Sequence, residues 1–203
     1  MMNISIESTS LIEFKNASKA YGDKVILKGF DKCFHPGTLT VLKGQNGTGK
    51  STLLKICMNR VKLDDGDIMI KKGIKCRYMP DYVDLPYADM PLGFIKWMLS
   101  VMKVDLDLLF LSELDIDMGK EVSKLSKGNK QKLLLYLSLV GKPDIVCLDE
   151  PFTALDQKSI KIVTKRIHQL VSLGTCVLIS THDLKSFKQH PFEVIDFDDA
   201  LHI

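Results

Sequence analysis

A glycine-rich segment in the first third of the chain has the residue types and spacing of a phosphate-binding loop. Residues 44–51 are Gly-Gln-Asn-Gly-Thr-Gly-Lys-Ser and match the pattern GxxxxGK[ST]. Glycines let backbone N–H groups wrap a phosphate chain, and the helix that follows directs its positive end toward the phosphates. The lysine of this pattern reaches the outer phosphates, and the serine hydroxyl can bind Mg²⁺. The predicted nucleotide-binding residues here are Asn46, Gly47, Thr48, Gly49, Lys50, Ser51 and Thr52.

A pair of carboxylates follows an apolar run later in the chain. The run Ile145 to Leu148 is followed directly by Asp149 and Glu150. In an open parallel sheet, ligands bind beyond the carboxyl ends of the strands, which would bring this pair to the phosphate loop. There Asp149 is suited to binding Mg²⁺, and Glu150 to polarising a water that attacks the terminal phosphate. Alone, such a pair is more commonly a strand end or a helix cap, so the assignment depends on the loop.

The elements that must position these groups alternate between strands and helices. Periodicity predicts strands over residues 39–42, 144–148 and 176–179, and helices over 51–61, 130–140 and 157–173. Asp156 and Gly174 have the residue types of an N-cap and a C-terminal stop for the last of these helices. Short apolar pieces separated by turns over 11–34 indicate an antiparallel sheet. Together the elements predict an α/β fold with a mostly parallel sheet.

A helical insertion, over roughly residues 85–120, interrupts this alternation. Helical periodicity over 91–114 places Phe94, Met98 and Val101 on one face, with Trp97 beside them. Together with Met102, these side chains form either the core of the insertion or part of a groove that accepts a helix from another subunit.

Composition and charge narrow the class of protein. The chain has 203 residues, of which 45% are hydrophobic, and a formal net charge of +3. These values are typical of a globular domain and do not indicate a nucleic-acid-binding protein.

The N-terminus has no export signal, and no apolar run approaches the ~20 residues that a membrane span requires. The five cysteines lie in apolar stretches without a CxxC pair, which indicates buried thiols of a reducing compartment.

From Tyr21 to His182 the chain resembles the ATP-binding subunits of ABC transporters. The matching segments come in the order of that family and are Tyr21, the loop at 44–51, the helical insertion, Leu-Ser-Lys-Gly-Asn at 125–129, the stretch 145–150, Ala-Leu-Asp at 154–156 and Ser-Thr-His-Asp at 180–183. The resemblance implies a P-loop NTPase core with a mostly parallel sheet, an N-terminal antiparallel β subdomain and an inserted helical subdomain. Residues 1–203 would form one such ATP-binding domain.

The resemblance also implies roles for residues outside the loop. Tyr21 would stack on adenine, as a tyrosine face can. His182 would contact the γ-phosphate and, with Glu150, form the catalytic pair. By themselves, a tyrosine before a glycine is usually a turn or core residue and a histidine after a strand is usually a loop residue, so both roles rest on the ordered set of motifs.

The segment 125–129 would be the signature motif of the family. Ser126, Lys127 and Gly128 would bind the γ-phosphate of a nucleotide held by a second subunit, at the positive end of the following helix. Asp156 would lie near the contact between the two subunits. The usual motif is LSGGQ, and here Lys127 replaces the first glycine and Asn129 the glutamine. The Lys127 charge either favours phosphate binding or is a solvated helix start, and it would be strained if the backbone there required a positive φ.

A second departure concerns the magnesium site. After Arg-Tyr-Met-Pro at 77–80 the family places a glutamine that touches Mg²⁺ and the attacking water, whereas this chain has Asp81. A carboxylate can bind Mg²⁺ but adds negative charge beside a triphosphate. The hypothesis is that Ser51, Asp149 and Asp81 bind the metal and that Asp81 slows the chemistry.

These observations predict a cytoplasmic ATPase subunit that binds ATP and Mg²⁺ and powers a separate transmembrane protein. It would pair with a second ATP-binding subunit, identical or different, and would reach the membrane only through its partner. The Lys-containing signature and the short segment after His182 favour an exporter.

The alternative is a nucleotide-gated regulatory subunit that hydrolyses ATP poorly within a heteromeric complex. A small nucleotide kinase would leave Ser126, Asp156 and His182 unexplained, and chromosome ATPases need long coiled-coil insertions.

Overall fold

The structure, a computed structural model, describes residues 10–81, 84–182, 184–188 and 191–198. Its strands are β1 (Ile12–Tyr21), β2 (Lys24–Phe34), β3 (Leu39–Lys43), β4 (Asp65–Ile70), β5 (Cys76–Met79), β6 (Ile145–Asp149), β7 (Cys176–Ser180) and β8 (Glu193–Asp196). Its α-helices are α1 (Lys50–Cys57), α2 (Pro91–Met102), α3 (Leu108–Leu114), α4 (Lys127–Leu139) and α5 (Gln157–Ser172). Asp183, the last residue of the Ser-Thr-His-Asp segment, lies outside the described residues.

Two sheets form the framework. Strands β2, β1 and β4 form an antiparallel sheet in that order, and β5, β6, β7, β3 and β8 form a parallel one. The phosphate loop, the acidic pair and the Ser-Thr-His segment follow β3, β6 and β7, which are neighbours in the parallel sheet. Because the strands are parallel, their carboxyl ends meet at one edge and bring the three segments together. The predicted α/β class, with an N-terminal antiparallel sheet, is confirmed.

The parallel sheet is buried on both faces, and its central strands supply alternate side chains to two cores. The residues that pack with α2 to α5 on one face include Val146, Leu148, Val177 and Ile179. The residues that pack with α1 and the antiparallel sheet on the other face include Ile145, Cys147, Cys176 and Leu178. Full burial of a Val, Leu or Ile side chain stabilises a fold by about 1.5–3 kcal/mol. The central strands are therefore rigid supports for the loops at their carboxyl ends.

Some helices begin or end at other residues than apolar periodicity predicts, because polar residues set these ends. Helix α1 ends at Cys57, four residues before the predicted end, because Asn59 adopts a left-handed conformation with φ 54°. Helix α4 begins at Lys127, three residues before the predicted start, because Ser126 caps it by accepting a hydrogen bond from the Asn129 N–H. Asp156 caps α5 as predicted by accepting from the Ser159 N–H at 2.7 Å. Apolar spacing does not detect caps, since capping residues are polar.

The helical insertion consists of two helices rather than one continuous periodic segment. Helix α2 ends at Met102 and is followed by Lys103, which is left-handed, and α3 starts after Asp107, whose carboxylate accepts from the Phe110 N–H. Phe94 is buried, and Met98 and Met102 pack partly buried against the same core. Val101 and Trp97 are 65% and 53% exposed, so the alternative that these side chains form the core of the insertion does not hold for these two.

Three of the five cysteines, Cys57, Cys147 and Cys176, are buried as predicted, and all five are free thiols. Cys33 and Cys76 are only partly buried, which corrects the prediction for them. Burial raises the pKa of Cys176 to about 11, so this thiol stays protonated at neutral pH.

Of the helices in the described part of the chain, none has the length and apolar character needed to span a bilayer.

Candidate functional site

The phosphate loop joins β3 to α1, and its conformation depends on glycine. Gly44, Gly47 and Gly49 have φ angles of 146°, 82° and 116°, which residues with a side chain rarely adopt. A Cβ on Gly49 would also collide with the side chain of Ile26 on β2. The loop therefore curves tightly beside β2 at the start of α1, a path whose N–H groups are suited to a phosphate.

Several side chains hold this loop in place. The buried Lys50 ammonium donates to the carbonyl oxygens of Gly44 at 2.6 Å and of Gln45 at 2.8 Å. An ammonium has three protons, so this geometry leaves one for a phosphate oxygen. The Thr48 hydroxyl also donates to the Gln45 carbonyl at 2.9 Å, so Thr48 shapes the loop from inside.

The segment that follows β8 supports the loop from the outside. The Gln45 N–H donates to the Asp198 carboxylate at 2.9 Å. A Cβ on Gly44 would lie 2.9 Å from the Cβ of Phe197, which shows how closely the two segments pack. The Lys43 ammonium donates to the Asp196 carboxylate at 2.6 Å. These three contacts have no signal in the sequence, because no phosphate-loop pattern includes residues so distant along the chain.

The carboxylate pair lies at the end of β6 and is anchored to β7. Asp149 is 3% exposed and accepts a hydrogen bond from the Ser180 hydroxyl at 2.6 Å. The Glu150 N–H donates to both the hydroxyl and the carbonyl oxygen of Ser180, at 2.9 and 3.1 Å. Glu150 itself has a φ of 45°, a conformation that is uncommon for a residue with a side chain. Ser180 thus fixes both members of the pair.

The Glu150 side chain is half-buried among charged groups. Burial is the main cause that raises the pKa of the Glu150 carboxyl above its ordinary value. Electrostatic interactions with His182 and Lys50 oppose this rise. The negative charges of Asp149 and Asp81 add to it. A carboxylate whose pKa is raised is a stronger base once it is ionised, which suits the removal of a proton from water.

His182 lies between the acidic pair and the phosphate loop. Its Nε2 atom is 3.3 Å from Glu150 Oε1 and 3.4 Å from Asn46 Oδ1. Glu150 Oε1 is buried and has no hydrogen-bond partner among the described atoms, so the histidine is at ion-pair distance without hydrogen-bond alignment. The arrangement brings the two predicted catalytic side chains together beside the loop.

A cleft of about 390 Å³ joins most of the predicted residues. Its lining consists of Tyr21, Lys24, Ile26, Asn46, Gly47, Gly49, Lys50, Ser51, Thr52, Asp81, Asp149 and Glu150. Thr48 is a predicted nucleotide residue that does not line it. Lys24 and Ile26 line the cleft but were missed. Their signal in the sequence is their place just after the Tyr-Gly-Asp turn, because the β1–β2 hairpin pairs Tyr21 with Lys24.

Three of the residues that line this cleft carry side-chain oxygens with the chemistry of magnesium ligands. The Ser51 hydroxyl and the Asp149 and Asp81 carboxylates all line it. Mg²⁺ prefers such hard oxygen ligands and usually takes one or two carboxylates, with phosphate oxygens and waters completing its shell. The donor set is therefore of the type that Mg²⁺ with a bound triphosphate requires.

Tyr21 adds an accessible aromatic face to the lining of the cleft. Its side chain is 52% exposed at the end of β1. The Lys19 ammonium lies 5.2 Å from the ring centroid. A ring in this position can stack on a planar base and be polarised by the nearby cation.

The predicted signature residues lie away from the cleft, at the start of α4. Ser126 and Lys127 are exposed, and Lys127 is already helical, so the backbone strain considered for it is absent. A Cβ on Gly128 would lie 2.8 Å from the Ala154 carbonyl oxygen. The Asn129 amide oxygen accepts from the Asp117 N–H at 2.8 Å and thereby ties α4 to the preceding segment. Ser126 and Lys127 are thus free of the cleft of their own chain and face outward.

Gln131 on α4 contacts the acidic segment and was missed in the sequence. Its side chain is 3% exposed, and its amide donates to the carbonyl oxygens of Pro151 at 3.0 Å and Glu150 at 3.4 Å. A buried amide within an otherwise polar helix start gives no distinct sequence signal. Only the packing of α4 along the segment after β6 reveals this contact.

Comparisons with known proteins agree with this architecture. A family model described as ABC transporter matches residues 27–86. The zinc import ATP-binding protein ZnuC of Rickettsia bellii (strain RML369-C) is 31% identical over 195 residues, which cover 91% of this chain and 82% of that protein. The Nod factor export ATP-binding protein I of Burkholderia orbicola (strain AU 1054) is 28% identical over 193 residues, which cover 86% of this chain and 64% of that protein.

A solved structure described as the ATP-binding subunit of an ABC transporter has the same fold. It superposes with a TM-score of 0.81 over 92% of this chain and 85% of that chain. The sequence identity between the two is 22%, so this likeness concerns the fold.

Proposed function

The chain belongs to the family of ABC transporter ATP-binding proteins, and we propose that it is the ATP-hydrolysing subunit that drives a separate transmembrane partner. The observation that carries this proposal is the cleft of about 390 Å³ in which the phosphate loop and the carboxylate pair meet. Each group there has the chemistry that hydrolysis of a nucleoside triphosphate requires.

Binding of the nucleotide would use two parts of the cleft lining. The Tyr21 ring stacks on adenine, while the loop N–H groups and the Lys50 ammonium hold the phosphates. Ser51 and Asp149 hold Mg²⁺, which when bound neutralises charge on the outer phosphates. Because Ser180 already fixes Asp149, this carboxylate needs no rearrangement to take its role.

Hydrolysis would then depend on Glu150 and His182. The Glu150 carboxylate accepts the proton of the attacking water, and its raised pKa makes it a better base. His182 lies 3.3 Å from Glu150 and is placed to donate a hydrogen bond to a γ-phosphate oxygen. Fixed groups of this kind lower the barrier because little reorganisation is needed during the reaction.

Asp81 is proposed to keep the metal role while slowing the chemistry. Its carboxylate lines the cleft and contributes to the raised pKa of Glu150. Another negative charge near a triphosphate opposes its binding and hydrolysis. We expect Asp81→Gln to raise the turnover rate and to change its dependence on Mg²⁺. Unchanged turnover with unchanged Mg²⁺ dependence would remove Asp81 from the site.

A second ATP-binding subunit, identical or different, would complete each site. Ser126 caps α4 and, like Lys127, is exposed, while Gly128 is partly buried, and the N–H groups of this helix start are suited to a phosphate carried by another chain. Asp156 lies at the start of α5 with its side chain 61% exposed, so it is accessible to that chain. ATP would stabilise the pair and hydrolysis would release it.

The transmembrane partner is proposed to dock on the helical insertion. Trp97 is 53% exposed and packs beside Tyr87, which is 39% exposed. Exposed aromatic side chains of this kind are common anchors of protein interfaces. Binding of the purified chain to membrane vesicles from the source cells would test this. Trp97→Ala should abolish binding with folding intact, whereas Leu173→Ala, a change of another exposed apolar residue, should not.

Through such a partner the chain would be attached to the cytoplasmic side of the membrane. Export as the direction of transport stays a prediction based on the Lys-containing signature. The comparisons do not confirm this direction, because most of the similar curated proteins are zinc import ATP-binding proteins and one is a Nod factor export protein.

The decisive experiment measures phosphate release and ATP-dependent dimerisation of the purified chain with Mg²⁺. We expect Glu150→Gln to reduce turnover by about 100-fold or more, the usual size of a lost general base, and to accumulate ATP-bound dimers. Glu113→Gln, on the surface of α3, is the control and should behave like the wild type. A wild-type chain that binds ATP without turnover, and loses nothing with Glu150→Gln, would favour the hydrolysis-poor regulatory subunit instead.

A further inference from the structure

Helix α4 lies along the segment 150–156 of its own chain and contacts it at three levels. Gly128 packs against the Ala154 carbonyl oxygen. One turn further, Gln131 donates to two successive carbonyl oxygens, those of residues 150 and 151. The Lys132 ammonium lies 3.8 Å from the Asp156 carboxylate and donates to the Asp115 carbonyl. The segment between the acidic pair and α5 therefore has a continuous support along its length.

Gln131 is the part of this support that acts on Glu150. The N–H of Glu150 is held from β7 by Ser180, and its C=O is held from α4 by Gln131. Between these two contacts the residue has a φ of 45°. A residue with a side chain keeps such a conformation only when its surroundings fix it from several sides.

The direction of the Glu150 side chain depends on this conformation. Rotation of the backbone toward a more common φ would swing the Cα–Cβ bond and move the carboxylate away from His182. The Gln131 amide is 3% exposed and donates to the carbonyl oxygens of Pro151 and Glu150, and the Glu150 oxygen also accepts from the Thr153 N–H at 3.3 Å. Loss of the amide therefore removes a restraint from Glu150 without touching the cleft itself.

We propose that Gln131 is a positioning residue for hydrolysis, which holds the backbone of Glu150 so that its carboxylate points at the attacking water. This inference rests on the proposed role of Glu150 as the base. Gln131 does not line the cleft and contacts neither the phosphate loop nor the metal-binding oxygens. It acts on the reaction through Glu150.

The test compares Gln131→Met with the wild type in phosphate release and nucleotide binding. Methionine has a similar length but no donor. We expect kcat to fall about 10- to 100-fold, the effect of misplacing a reacting group by about 1 Å. The Kd of a fluorescent ATP analogue should change by less than about twofold, because uniform binding is not affected. A fall in affinity equal to the fall in kcat would overturn the proposal, since a general loss of structure has that result.

Two further variants keep the test decisive. Ser138→Ala is the matched control, because Ser138 is buried on the same face of α4, about 10 Å further along the helix axis. Ser138→Ala should leave kcat unchanged. If it lowered kcat as much as Gln131→Met does, the loss would be due to a disturbed helix α4 rather than to the Gln131 amide. If Gln131→Met does not fold, Gln131→Asn gives the same information, because its amide is one methylene too short to reach Pro151 at 3.0 Å.

A double variant separates this proposal from the role of Glu150. If Gln131 acts through Glu150, then Gln131→Met should cause no further loss in single-turnover rate when Glu150→Gln is already present. Full additivity of the two losses would overturn the positioning role. If Glu150→Gln alone keeps its turnover, the assignment of the base is wrong. If Glu150→Gln loses turnover and Gln131→Met does not, only the positioning role fails.

Discussion

The phosphate loop and the signature segment are both assigned to bind phosphate, but they depend on glycine for different reasons. In the loop, Gly44, Gly47 and Gly49 all have positive φ angles. In the described segment 125–129 no residue has one, and Lys127 is already part of α4. The loop presents N–H groups by its unusual path, whereas the signature segment presents them as an ordinary helix start.

This difference explains which departures from the family pattern the chain tolerates. In the signature segment Gly128 is constrained by space, through its contact with the Ala154 carbonyl oxygen. Lys127 and Asn129 occupy helical positions where the backbone accepts many residue types, although the Asn129 side chain accepts from the Asp117 N–H. The chain therefore keeps the loop pattern complete and varies the signature at the two positions where the backbone allows it.

The difference between the loop glycines and the signature glycine predicts that the largest loss of ATP affinity occurs at Gly49. Gly49→Ala combines a φ of 116° with a collision against Ile26. Strain of this kind costs about 1–3 kcal/mol before the collision is counted. We expect the affinity for ATP, measured with a fluorescent analogue, to fall by about 100-fold.

Gly93→Ala is the matched control for this change. Gly93 is in α2, and a Cβ there meets nothing within 4 Å. It should leave ATP binding unchanged and raise the free energy of unfolding in urea by about 0.5–1 kcal/mol. Equal effects at the two glycines would contradict the view that the loop requires its backbone conformation.

A smaller loss of activity is expected from a side chain at Gly128, because close packing rather than a positive φ excludes a larger residue there. A Cβ would lie 2.8 Å from the Ala154 carbonyl oxygen, so Gly128→Ala should push α4 away from the segment after β6. We expect turnover to fall about 10-fold, since small displacements of reacting groups are costly. ATP affinity of the isolated chain should not change. Turnover like that of the wild type would show that this contact has no influence on the cleft.

The pH dependence of turnover should distinguish the cleft from the signature segment, because of these two regions the cleft holds the titrating base. Glu150 must be ionised to accept a proton, and its pKa is raised, so turnover should fall with decreasing pH at higher pH than for an ordinary glutamate. Asp81→Asn removes one cause of the raised pKa. It should therefore shift the acid limb of the kcat profile to lower pH. Asp115→Asn, remote from the cleft, serves as control and should leave the limb in place.

The smallest effect is expected at Lys127. Lys127→Gly restores the usual family residue, but it relieves no strain because Lys127 is helical and exposed. Glycine lowers helix stability by about 1 kcal/mol at most, so turnover should stay within about twofold of the wild type. If turnover and its salt dependence change strongly, the lysine charge itself participates in phosphate binding.

The fold class and most of the cleft could be predicted from sequence, because both depend on local patterns. The buried runs of β6 and β7 and the Gly-rich loop are short, contiguous signals. The caps at Ser126 and Asp156 bind N–H groups three residues away, and the second was predicted from residue type alone. The parallel arrangement then brings the three strand ends together without further information.

The rest depends on contacts between distant segments, which local patterns do not contain. Gln131 and Ser180 hold Glu150, yet they lie 19 and 30 residues from it in sequence. Periodicity placed Val101 on the same face of α2 as Phe94 but could not decide between core and groove, because it does not describe what covers a helix face. Such details require the tertiary packing that overrides local preference.

The support that Phe197 and Asp198 give to the phosphate loop has a practical consequence for protein engineering. A chain shortened to end before Glu193 would keep every recognisable motif from Tyr21 to His182. It would nevertheless lose the carboxylate that accepts from the Gln45 N–H and the side chain that packs against Gly44. Motif content is therefore an incomplete guide to where such an ATPase can be trimmed, fused or split, and β8 with the two residues after it should be kept as part of the minimal unit.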